Sequence, residues 1–111
     1  MTTIFGKIIA GDLPCDKVFE NDHVIAFKDI HPVAPVHILI VPKKEIPNFQ
    51  SLMKEDYHLL GEIAAVAQTL AKEFAITEGY RLLTNNGAGA GQTVFHLHFH
   101  LIGGSSMNNL I

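Results

Sequence analysis

The 111 residues contain no tryptophan and one cysteine, and only 17% are charged. A lone Cys15 excludes an internal disulfide and a cysteine zinc cluster, and points to a reducing cytoplasm. Basic residues are scarce: 8 Lys and Arg against 11 Asp and Glu leave a net charge of −3. Tracking a nucleic-acid backbone needs a basic face, and Lys43-Lys44 is the one notable pair of neighbouring cations, read here as solvated surface. Apolar runs stop far short of the ~20 residues of a membrane span, so no membrane partner is expected. Lys7 sits inside the first apolar segment and no small-residue cleavage pattern follows, which argues against a secretory signal. Internal repeats and charge blocks are also missing.

What remains is 48% hydrophobic, enough for one domain over residues 1–111 and too short for two cores. A chain of this length buries roughly two-thirds of its unfolded surface, so association with a second copy would stabilise it. Residues 3–10 predict a short helix: Ile4, Phe5, Ile8 and Ile9 share a face, Thr3 can cap the start and Gly11 the end. Lys17 to Glu20 and Val24 to Lys28 read as a strand pair around Asn21-Asp22. Pro32 and Pro35 stiffen the next connection, and the apolar residues from His37 to Val41 predict a central strand stopped by Pro42. Residues 54–75 carry Leu59, Ile63, Val66, Leu70 and Phe74 at helical spacing, with Gly79 as the expected stop. Strands are expected at 80–84 and 95–102. The order predicts an α+β fold: an antiparallel sheet of about five strands with its helices to one side.

Histidine is the anomaly, because three of the 7 fall between positions 96 and 100. On a strand, Phe95, Leu97, Phe99 and Leu101 would face a core while His96, His98 and His100 emerge opposite, roughly 7 Å apart. With the alternate residues already furnishing a core, three merely structural histidines are a poor explanation. Two chemistries remain open. A His-x-His strand can hold a metal ion if Asp29 and His37 supply further ligands. Alternatively, one neutral imidazole attacks phosphorus while the others manage protons and charge. The segment Asn85-Asn86-Gly87-Ala88-Gly89-Ala90-Gly91-Gln92-Thr93 favours phosphorus, since glycines let backbone N–H groups face an anion and Asn85, Gln92 and Thr93 add donors. It is neither a Walker A loop nor a dinucleotide fingerprint. Asp29 closes a strand with a carboxylate suited to a sugar diol, though it also suits a turn. Ile4, Phe5 and Ile8 can line a base pocket or simply fill a core. His23, His31 and His58 attract no role, and Cys15 reads as a half-buried turn residue.

His96-Leu97-His98-Phe99-His100-Leu101-Ile102 matches the His-φ-His-φ-His-φ-φ signature, with φ apolar, at every position, and the chain resembles the histidine triad (HIT) family, Hint branch. Ile4 to Ile9, Ala26-Phe27 with Asp29-Ile30, Val41 to Lys44, and Gly91 through Gly104 are similar to Hint segments in order and spacing. The resemblance implies a HIT-like fold whose sheet continues across a homodimer. It implies a purine nucleoside phosphoramidase that needs neither metal nor cofactor. By the same resemblance His98 is the nucleophile, His100 lies by the phosphate and leaving group, and His96 and His37 orient the nucleophile. Asn85, Gly91, Gln92 and Thr93 would contact phosphate and leaving group, Asp29 the ribose, and Ile4, Phe5, Ile8, Phe27 and Ile30 the purine. A non-catalytic nucleotide-binding module and a dinucleoside polyphosphate hydrolase of a sister branch are the alternatives. The tail from Ser105 to Ile111 lacks the tryptophan of animal Hint proteins, which leaves leaving-group preference open.

Overall fold

The computed structural model describes residues 3–107. It opens with helix α1 (Ile4–Ala10), where Thr3 Oγ1 accepts the Gly6 N–H at 3.1 Å and Gly11 ends the helix at φ +84°. Strands β1 (Lys17–Glu20) and β2 (Val24–Lys28) form the expected hairpin. Asn21 Oδ1 shapes its turn by accepting from the N–H groups of His23 and Val24 at 2.9 and 2.8 Å. Strand β3 (Val36–Pro42), helix α2 (Tyr57–Glu73), β4 (Tyr80–Leu83) and β5 (Phe99–Gly103) complete the chain. The sheet is antiparallel throughout, in the order β1-β2-β3-β5-β4, so β3 is central. No helix among the described residues is long and apolar enough to cross a membrane.

The helices do not share one side of the sheet. Val24, Ala26, Ile38, Ile40 and Leu101 pack under α2 residues Ile63, Val66, Ala67, Leu70 and Ala71. Ile25, Phe27, Leu39 and Val41 point the other way, against Phe5 of α1. The cause is visible in β3, where Ile38-Leu39-Ile40-Val41 has no polar alternation and both faces must be covered. That second, thinner layer under α1 is where the site lies.

Three boundaries differ from the sequence expectation. Regular α-helix begins at Tyr57, after a 3-10 turn at Lys54–Asp56. The buried Asp56 carboxylate ties that turn, accepting the Met53 N–H at 3.0 Å and pairing with Lys44, which is therefore more than a solvated surface cation. Helix α2 ends at Glu73, two residues short of the expected 75, and Gly79 is not what stops it. Ala75 takes the left-handed position at φ +57°, and the N–H groups of Ala75 and Ile76 bond back to Lys72 and Ala71 carbonyls, which lets buried Ile76 plug the core. The last strand starts at Phe99 and not at 95. Pro42 lacks the N–H that would extend the β3–β5 ladder, and the Leu97 N–H turns instead to the Ile46 carbonyl at 2.6 Å. Phe95 is consequently 48% exposed and supplies no core face. Of the tail, residues 108–111 lie outside the described residues.

Candidate active site

A cleft of ≈ 280 Å³ opens between α1 and the sheet. Ile4, Phe5, Ile8, Phe27 and Leu39 line its apolar end; Asp29, Ile30 and His31 form a rim; Thr93, Val94, His98 and His100 close the polar end. Larger hollows of ≈ 620 and ≈ 420 Å³ beside β1 and α2 are open troughs lined largely by charged residues. In the first, Glu20, flanked by Lys17 and Lys43, is held down at about 2 by its hydrogen bonds to them. The small cleft differs in combining an enclosed apolar wall with two imidazoles.

Because residues 95–98 leave the ladder, the three histidines do not stand in a row. His96 is 1% exposed, lies beneath the cleft, and its Nε2–H donates to the Pro42 carbonyl at 2.7 Å. Its buried Nδ1 meets no hydrogen-bond partner among the described residues. The His96 carbonyl accepts the Nδ1–H of His98 at 2.7 Å. A carbonyl cannot donate, so this bond places the His98 proton on Nδ1 and leaves a lone pair on Nε2. Phe5 supports the His98 ring edge-on, with centroids 4.9 Å apart.

His100 stands on β5 beside Leu39 of β3. Its ring lies 5.2 Å from those of both His98 and His37, closer than the strand spacing predicts. His37, nearly buried behind it, accepts the Val33 N–H on Nδ1 at 3.1 Å, so its own proton sits on Nε2. That Nε2–H points to His100 Nδ1 at 2.9 Å, with Asp29 Oδ2 3.4 Å away. His100 therefore carries its proton on Nε2. Both cleft imidazoles resist protonation. Burial is the main cause for His98, partly opposed by its bond to the His96 carbonyl. For His100, burial followed by the proximity of His98 and His37 lowers the value to about 4. At neutral pH His98 is thus an uncharged ring with a free lone pair, beside an uncharged N–H donor.

Asp29, His37 and His100 bring three ligand atoms within 4.8 Å of one another, with one strand histidine where the metal reading required two beside Asp29 and His37. A cation there would need the Nε2 lone pair of His37, yet that nitrogen holds the ring's proton because Nδ1 faces the Val33 N–H. The geometry suits a shared proton better than a metal ion.

The structure gathers most of the expected residues and leaves some elsewhere. Ile4, Phe5, Ile8, Phe27, Asp29, Ile30, Thr93, His98 and His100 line the cleft, with His37 and His96 behind it. Asn85, Gly91 and Gln92 do not line it. The Gln92 amide is spent on backbone: its Nε2 donates to the Pro47 and Val94 carbonyls at 2.7 and 3.0 Å, and its Oε1 accepts the Gly87 N–H at 2.8 Å. The N–H groups of Ala90, Gly91 and Gln92 bond inside the same loop, and Gly91 serves as its left-handed corner at φ +94°. Sequence reasoning missed Leu39, Pro14 and Cys15 on the wall; Leu39 was within reach, since it shares a strand face with His37. Burial raises the Cys15 thiol. The rim also uses His31, whose N–H caps Asp29 Oδ1 at 2.8 Å, so Asp29 is a turn residue and a cleft residue together.

Residues 10–107 match the HIT domain. An uncharacterized HIT-like protein of Chlamydia muridarum is 49% identical over 110 residues, 99% of this chain and 87% of that protein. Among solved structures, a HIT family hydrolase from Clostridium thermocellum superposes with a TM-score of 0.94 at 47% identity, covering 98% of this chain and 96% of that one. A HIT family hydrolase from Legionella pneumophila gives 0.92 at 43%, covering 95% of each. The chain belongs to the histidine triad family.

Proposed function

We propose that residues 1–111 act as a single-domain hydrolase of the Hint branch, which cleaves the phosphorus–nitrogen bond of purine nucleoside 5′-phosphoramidates through a nucleotidyl-His98 intermediate. The hydrolase description of the two solved relatives supports the reaction class. The observation that carries the finer reading is the hydrogen bond from His98 Nδ1–H to the His96 carbonyl, which frees Nε2 as a nucleophile next to the His100 N–H. The apolar wall accommodates a base, and Asp29 keeps acceptor capacity for a ribose diol beyond its bond to His31.

In the first displacement the His98 Nε2 lone pair attacks phosphorus, and the breaking bond's electrons leave on the amine nitrogen. An amide anion is a prohibitive leaving group, so that nitrogen must gain a proton. His100 supplies it, in an imidazolium form that the anionic substrate favours over the neutral resting ring. Thr93 lines the same polar end and offers a hydroxyl to the nonbridging oxygens. Water then attacks the nucleotidyl-His98 phosphorus, returns one proton to His100 and releases the nucleoside monophosphate. No metal is needed for either displacement.

A homodimer is part of the proposal: β4 is an open sheet edge whose Tyr80 and Leu82 are 37% and 40% exposed. A reducing cytoplasmic setting suits the free Cys15 thiol. Acid-labile trapping of labelled nucleotide during turnover of an adenosine phosphoramidate should recover label on His98, and His98→Ala should abolish both label and turnover while nucleotide still binds. Turnover surviving in His98→Ala would remove the covalent step. Preferential cleavage of diadenosine polyphosphates would place the chain in the sister branch, and sedimentation as a monomer would remove the dimer.

A further inference from the structure

We propose that the backbone N–H of Val33 is a positioning group that fixes the proton of His37 on Nε2, and through it the proton of His100 on Nε2. The inference rests on the phosphoramidase reading for its consequence in turnover, whereas the placement of protons stands apart from it.

The Val33 side chain is 72% exposed, so it contributes little packing. Its amide, in contrast, points inward to His37 Nδ1 at 3.1 Å. Pro32 and Pro35 bracket the residue and restrict the backbone that carries this N–H. The direction of every bond downstream follows from it. With Nδ1 accepting, His37 can hold its proton only on Nε2. That proton occupies His100 Nδ1 at 2.9 Å, and His100 must present its own N–H on Nε2. Were the Val33 donor lost, His37 could carry its proton on Nδ1 and accept from His100. The His100 nitrogen beside the phosphoryl would then hold a lone pair, which repels an anion.

In the ligand-free pair an extra proton displaces one of these bonds, since on His37 Nδ1 it meets the Val33 N–H and on His100 Nδ1 the His37 N–H. The imidazolium that donates to the amine therefore forms only when the anionic substrate offsets that loss. The charged and titratable groups around the pair are Asp29 and Lys28 at the end of β2, His31 on the rim, His98 before β5, and Arg81, which lies in register with His37 across β5. Asp29 Oδ2 lies 3.4 Å from His37 Nε2, and a carboxylate there favours the same Nε2–H. Val33 and Asp29 thus enforce one tautomer from opposite edges of the ring.

Nitrogen-15 spectra of the histidine rings test this in the ligand-free protein. The wild type should show His37 and His100 protonated on Nε2, and Val33→Ala, which keeps the N–H, should match it. Val33→Pro removes the donor and should move the His37 tautomer ratio about fivefold towards Nδ1, the equilibrium worth of one hydrogen bond. Its kcat for an adenosine phosphoramidate should fall with KM little changed. Wild-type His37 protonated on Nδ1, or unchanged rings in Val33→Pro, would overturn the lock. A tautomer shift without a change in kcat would overturn its part in turnover. If Val33→Pro fails to fold, an amide-to-ester replacement at the same residue deletes the N–H alone and is read in the same way. Failure to trap a nucleotidyl-enzyme leaves these ring spectra intact, so the two ideas fail separately.

Discussion

Gln92→Leu separates a side chain that holds phosphate from one that holds a loop. In the structure its amide makes three bonds to backbone in three places: Gly87, Pro47 and Val94. Gln92 is 4% exposed, and leucine keeps most of its volume while leaving one N–H and two carbonyls without their partner. At ~1 kcal/mol net for each bond, less what water regains at the exposed Pro47, the loss is about 2–3 kcal/mol. The 111 residues carry an unfolding entropy of about 0.23 kcal/mol/K, so Tm should fall by roughly 9–13 °C at fixed protein concentration. Turnover below the transition should drop modestly, through displacement of Thr93 at the loop's end. Calorimetry alongside single-turnover hydrolysis measures both. A Tm within a degree or two of wild type, with phosphoramidate turnover lost, would show that the amide works at the phosphate and that the loop bonds contribute little.

Three further outcomes follow from the same geometry. Asp29→Asn should weaken ribonucleotides by about 10- to 100-fold, as expected for loss of a charged acceptor, and leave 2′,3′-dideoxy analogues nearly unaffected; equal weakening in titration calorimetry would refute the diol contact. Ala75→Gly should raise Tm by roughly 4 °C, because glycine relieves about 1 kcal/mol of left-handed strain at φ +57° on an exposed turn; a lowered Tm would show that the alanine is not strained. Stability should be complete above pH ~6.5 and decline as pH falls towards 4, since the unfolded chain takes up protons that folded His98 and His100 refuse. For half-buried His100 the contribution is ~1–2 kcal/mol, discounted for solvent from the ~3 kcal/mol of a fully buried ring. Urea midpoints compared with His100→Asn isolate it, and identical pH dependence in the two proteins would refute the assignment.

The elements legible in the sequence were those that local chemistry decides. Thr3 and Gly11 bracket α1 because one supplies an oxygen to a free amide and the other tolerates φ +84°. Asn21 makes the hairpin by bonding its own turn. Where the pattern misled, a distant partner intervened. Ala75 outdid Gly79 as the helix stop because Ile76 gains a buried position one residue later. Residues 95–98 alternate as a strand should, but Pro42 offers them no N–H and Ile46 captures the Leu97 amide. The unbroken apolar run in β3 carried the signal of a sheet covered on both faces, yet the expectation put the helices on one side, because a single long helix dominated the pattern.

That broken strand is what makes the site work as proposed. On a regular strand His96, His98 and His100 would all face the cleft about 7 Å apart, each free to choose its tautomer. Leaving the ladder at Phe99 frees the His96 carbonyl to turn onto His98, drops the His96 ring onto the Pro42 carbonyl, and keeps only His100 in register with β3. Each imidazole thereby meets a backbone group or another ring that can bond in only one direction. Side-chain type and spacing reveal which residues gather. The proton positions depend on the carbonyls of His96 and Pro42 and the amide of Val33, groups that every residue type carries and no sequence motif can mark.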